Sequence, residues 1–203
     1  MPLVYSSNLF FVLNFIAHLY LSGEDEGLLL GNFIADAVKG KDFSAYPDAI
    51  AKGIVLHRKI DDFSDHHPVF KHTKQLLVPN YNHYAGVLVD IFYDYFLALH
   101  WKKFTDETIE QFSARCMASI ERQWKYVPEH MRMFYDYVRT NNRIVGYNQL
   151  ETITKVLNGM SRRTDFKSGM EHAVKDLRIH YNEIEQDFLA FFPEIQKFVS
   201  TQV

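Results

Sequence analysis

The stretch GVLVDIFYDYFLALHW places Asp90 and Asp94 four residues apart, so that on an α-helix their carboxylates are neighbours. At about 100° per residue, Val87, Asp90, Ile91, Asp94, Ala98 and Trp101 share one face, so the acids stand within an apolar stripe. Two adjacent carboxyls facing a core are unfavourable unless something compensates them. Either they cap a helix or meet an arginine from elsewhere, or they form a metal site or an acid–base pair. The stretch GIVLHRKIDDFSDHHP repeats the pattern. There Ile50, Ile54, His57, Arg58 and Asp61 fall together, and His57 and Asp61 are spaced to reach one point. An imidazole nitrogen beside a carboxylate oxygen is a donor set that borderline and hard divalent cations accept.

Two further residues join them. Asp36, in GNFIADAVKG, lies near the end of an apolar helix on the face of Leu29, Asn32 and Phe33. A carboxylate there opposes the helix dipole and needs a reason to be present. His18, in NFIAHLYL, shares a face with Asn14 and Phe15; alone it reads as a satisfied core histidine. Together, His18, Asp36, His57, Asp61, Asp90 and Asp94 are six polar residues on inward faces of four helices, which is how helical bundles build metal sites. Asp62 and Asp65, just beyond, cap or extend the cluster. His66 and His67, before Pro68, read as a solvated loop. The remaining histidines show no such pattern. Acids therefore outnumber imidazoles in the cluster, which turns the expected metal from zinc toward manganese or magnesium.

The elements that must position these residues are helical. Nine glycines and six prolines in 203 residues leave little room for a fold of many short strands. Helical periodicity runs through 28–39, 48–62, a short segment from Pro68, 82–101, 105–124, 128–137, 142–157 and 168–192. Pro193 ends the last helix or opens a tail helix. Thr105 and Thr108 make a poor capping box, with Asp106 and Glu107 suited to a first turn. The expectation is one all-α domain of about eight helices with no linker or repeat. The apolar run LFFVLNFIAHLYL lacks the flanks of a secretory signal and is too short for a membrane span, so it reads as a buried helix. A net charge of −3 gives no nucleic-acid footprint. The single cysteine, Cys116, excludes an intramolecular disulfide framework and fits a reducing, cytoplasmic setting.

The blocks NFIAHLYL, GNFIADAVKG, GIVLHRKIDDFSDHHP, GVLVDIFYDYFLALHW and VLNGMSRR, in this order, resemble the acyl carrier protein phosphodiesterase family. The similarity runs from Asn14 onward, which makes residues 1–13 a lead-in and 14–203 a single catalytic domain. The resemblance implies a divergent, HD-domain-like phosphohydrolase. In that pattern His18 matches the first histidine and Asp36 the aspartate of the His-Asp pair, with Ala35 in place of its histidine. His57, backed by Asp61, would supply the missing ligand, and Asp90 or Asp94 the distant acid. The implied reaction is hydrolysis of the phosphodiester joining 4′-phosphopantetheine to a serine of holo-acyl carrier protein. It would use Mn²⁺ or Mg²⁺ held by His18, Asp36, His57, Asp61 and Asp90. Asp36 and Asp94 would serve catalysis, and Arg58 or Lys59 would hold the phosphate. An acidic carrier would dock on local cations, for which Lys39, Lys41, Arg58, Lys59, Arg162 and Arg163 are candidates, with neither nucleic acid nor membrane as partner. The competing readings are a nucleotide-directed phosphohydrolase and a non-catalytic helical metal-binding protein.

Overall fold

The computed structural model describes residues 15–202, and among them there are eleven α-helices and no strand. In chain order these are α1 (Phe15–Leu21), α2 (Glu26–Ile34), α3 (Asp48–His66), α4 (Pro68–Tyr81), α5 (Ala85–Leu99) and α6 (Ile109–Arg122). They are followed by α7 (Glu129–Thr140), α8 (Arg143–Gly146), α9 (Leu150–Arg163), α10 (Ala173–Ile179) and α11 (Tyr181–Ser200). The expected lead-in, residues 1–13, and the start of the first apolar run lie outside the described residues. No described helix is long and apolar enough to cross a membrane.

Helix α5 is central. Leu88, Val89, Ile91, Phe92, Phe96 and Leu97 are all fully enclosed. It packs against α1, α4 and α11. Aromatic rings fill the seam to α11, where Phe96 stacks on Phe188, Phe188 meets Phe192 at a tilt and Tyr93 meets Phe191. Cys116 is sealed in the same core from α6, and burial pushes its thiol up to about 12.

Local signals set the helix ends, and several differ from the periodicity. The segment expected over 28–39 ends as an α-helix at Ile34 and tightens into a 3-10 turn over Ala35–Ala37. Its start is fixed by Asp25, whose carboxylate accepts from the Leu28 N–H at 2.8 Å. The capping box stands at Thr108 and Gln111, three residues later than the sequence pattern placed it. Residues 142–157 do not form one helix. Asn142 takes a left-handed backbone (φ 47°), α8 lasts one turn, and α9 begins at Leu150. The segment over 168–192 is likewise divided, into a 3-10 turn, α10 and α11. Pro193 does not end α11, which continues to Ser200. An internal proline costs about 3 kcal/mol, and burial of Phe188, Phe191, Phe192, Ile195 and Val199 along one face outweighs it. His66 closes α3 exposed, but His67 is not solvated: it is buried, N-caps α4 and bonds Glu194 at 3.1 Å.

Helices α2 and α3 cross at backbone contact, and glycines make it possible. A Cβ on Gly53 would collide with the Leu28 carbonyl oxygen and stand 2.8 Å from the Gly31 Cα. A Cβ on Gly31 would meet the Ile50 carbonyl oxygen in the same way. Backbone-to-backbone contact there brings the end of α2 alongside the middle of α3.

Candidate metal centre

The centre is built where α1, α2 and α3 meet, around one amide. Asn32, on α2 and 1% exposed, donates its Nδ2 hydrogens to the His18 carbonyl at 2.9 Å and to Ser22 Oγ at 3.0 Å. Those two acceptors fix the amide's orientation and turn Oδ1 toward the imidazoles. His18 Nδ1 lies 2.8 Å and His57 Nδ1 3.0 Å from that oxygen, and His57 Nδ1 also lies 3.0 Å from the Asn32 carbonyl. An acceptor facing both Nδ1 atoms places the hydrogen there, so each ring presents Nε2 to the centre. The rings stack with centroids 4.0 Å apart.

Both Nε2 atoms face carboxylates. Asp61 spans the pair, its two oxygens each 3.3 Å from one imidazole. Asp36, carried on the 3-10 turn after α2, reaches His57 Nε2 at 3.2 Å. The imidazoles form a buried floor (side chains 4% and 7% exposed), while Asp36 and Asp61 rise toward solvent at 20% and 43%. Burial disfavours a charged His57, but hydrogen bonds to Asp36 and Asp61 and their charges win and lift it to about 10. Burial likewise opposes ionisation of Asp61, yet the two imidazoles hold it far below the usual carboxylate range. Without a cation the site thus takes up a proton between its acids.

Asp94 and Asp90 lie beneath this floor. The Asp94 carboxylate accepts from the Ile16 and Ala17 N–H groups at 3.1 and 2.8 Å, and so caps the first turn of α1, the helix that carries His18. Burial pushes Asp94 up to about 7, with those two bonds pulling the other way. Asp90, one turn earlier, shares with His18, Ser64, Tyr93 and Asp94 the wall of a cavity of about 30 Å³. Burial, then the charges of Asp61, Asp94, Asp65 and Asp36, push its carboxyl well up.

Two residues expected at the phosphate are not brought in. The Arg58 guanidinium donates to the Val38 and Gly40 carbonyls at 2.7 Å each and lies over Phe43. It pins the segment after Asp36 rather than entering the centre. Lys59 stands two residues past His57, about 200° around the helix, and bonds Gln202 at 3.0 Å in an outer groove with Lys52 and Phe43. Asn32 had no assigned role in the sequence; its signal is an amide inside an apolar helix, four residues before Asp36.

Ligand atoms of His18, His57 and Asp61 lie within 4.8 Å of one another. Two oriented imidazoles, a carboxylate between them and a second acid beside them fit a divalent cation in chemistry and in support. Fold and site thus define an all-α protein with a histidine–carboxylate centre that could bind a metal. Residues 13–195 match the acyl carrier protein phosphodiesterase family, and the chain belongs to it. It is 31% identical over 182 residues to the acyl carrier protein phosphodiesterase of Photorhabdus laumondii, covering 89% of this chain and 92% of the relative. The protein of that name from Pectobacterium atrosepticum is 30% identical over 191 residues, 94% and 99% of the two chains. No solved structure matches the chain.

Proposed function

We propose that this protein is a metal-dependent phosphodiesterase that cleaves the bond between 4′-phosphopantetheine and a serine of holo-acyl carrier protein. The apo carrier and phosphopantetheine are the products. The observation that carries the reading is the pair of Nε2 atoms aimed at Asp61 in a chain of this family. His18, His57 and Asp61 would hold the ion, with Asp36 and Asp90 as the further acids; the arrangement is a distorted HD centre. The oxygen-rich set favours Mn²⁺ or Mg²⁺. A bound divalent cation supplies charge neutralisation for the phosphodiester and lowers the pKa of water.

The chain's own residues do the rest. Asn32 keeps both imidazoles in the tautomer that leaves Nε2 free. Asp94 holds α1, and with it His18, through the helix's first N–H groups. Asp61 and Asp36, the least buried members, would face the phosphodiester. The substrate protein is acidic, and the setting is cytoplasmic, where carrier proteins work. Lys39, Lys41, Arg162 and Arg163 are the cations offered for its docking, so KM rises with ionic strength.

Asp61→Asn tests the reading, because it preserves shape and removes the bridging charge. The expected result is at least a 100-fold loss of phosphopantetheine release from holo carrier protein, with the helical circular dichroism unchanged. Full activity in that variant overturns the site. Wild-type protein that hydrolyses nucleotides but not holo carrier protein overturns the substrate.

A further inference from the structure

Arg143 is a buried cation that no described carboxylate pairs. It is the first residue of α8, beside Tyr147, whose ring packs edge-on against Phe15 at the start of α1. It retains 8% exposure, and its Nε is sealed with no hydrogen-bond partner. The Tyr137 ring lies 4.8 Å from the guanidinium carbon. That stacking engages the flat face of the guanidinium, and Nε, on its N–H edge, meets no acceptor among the described residues. Among the described residues no carboxylate is within ion-pair distance of Arg143, and residues 1–14 contain neither Asp nor Glu. A second guanidinium, Arg163 at the end of α9, is near enough to interact with the same Tyr137. Buried charges are ordinarily paired, and an arginine edge matches the oxygens of a phosphate two at a time.

We propose that Arg143, with Tyr137 stacked on it and Arg163 nearby, is a binding site for a phosphate or phosphomonoester, separate from the histidine–carboxylate centre. The ligand has two sources, free inorganic phosphate or the phosphate end of 4′-phosphopantetheine. Only the second source rests on the phosphodiesterase reading; the site does not.

Thermal unfolding of the full chain in EDTA, which keeps cations from the centre, tests the site with inorganic phosphate as probe and chloride of equal ionic strength as control. The midpoint of the wild type should rise saturably with phosphate and not with chloride. Arg143→Met should lose that response and, without phosphate, unfold at the same temperature as wild type or higher, because it removes an uncompensated buried charge. Arg143→Lys, which keeps the charge but not the fork, should need at least 10-fold more phosphate. An equal phosphate response in wild type and Arg143→Met overturns the site. So does an unresponsive wild type, and a less stable Arg143→Met would then make the guanidinium a packing element. Protection by 4′-phosphopantetheine at lower concentration than phosphate, with none from pantetheine, assigns the source to the reaction product. Equal potency assigns it to free phosphate, and both results support the site.

Discussion

Asn32 carries no charge, yet its one amide oxygen sets the direction of two imidazoles. Asn32→Ala should weaken divalent-cation binding by about 10–100-fold, measured by calorimetric titration, while leaving most of the fold in place. Unchanged affinity would mean the rings are held by packing alone. His57 makes a second prediction, for metal-free protein. Its folded value is raised to about 10 against an ordinary value near 6.5, so its contribution to stability is complete below about pH 6.5 and is lost as pH rises toward 10. Asp61 is shifted the opposite way, so its contribution is present above about pH 4 and is lost in acid. Urea unfolding in EDTA should therefore show stability declining from pH 6.5 to 10, and His57→Gln should flatten that decline; an identical slope in the variant would refute the assignment. At this scale the sequence revealed the charged members, because an acid or histidine on an apolar face is conspicuous. It did not reveal Asn32, because a neutral amide on such a face is satisfied in many ways that spacing alone does not distinguish.

The elements decide which neighbours in sequence become neighbours in space. Arg58 and Lys59 adjoin His57 in the chain, but successive helical residues turn away by about 100°, and their side chains end on Val38, Gly40 and Gln202. Asp94 fell on the expected face, but its partner is the start of α1, a backbone end that residue spacing does not display. The α2–α3 crossing is the decisive contact, since α2 carries Asn32 and leads to Asp36 while α3 carries His57 and Asp61. Gly53→Ala should force the helices apart, costing about 1–3 kcal/mol in denaturant unfolding and lowering cation affinity at the same time. A variant with wild-type affinity would show that the centre does not depend on this contact. Helix ends were the least legible part. Asn142 and the turn before α10 break runs that looked continuous, and Pro193 fails to break one, because packing over a whole helix face outweighs one missing hydrogen bond.

For the whole molecule, helical class was legible from periodicity and from few glycines and prolines; the number of helices was not. A cation that binds only the folded chain adds stability by mass action, about 2.7 kcal/mol at 100-fold excess over its Kd. Chelation should therefore lower the melting temperature of wild type and leave that of His18→Ala unchanged; an equal drop in both would place the cation elsewhere. Cys116 gives the molecule an internal clock. It is the one thiol in the chain, it lies at 0% exposure in the α6 packing, and burial keeps it protonated at neutral pH. An alkylating reagent can reach it only when the core opens, so its rate of modification counts excursions from the native state without any added probe.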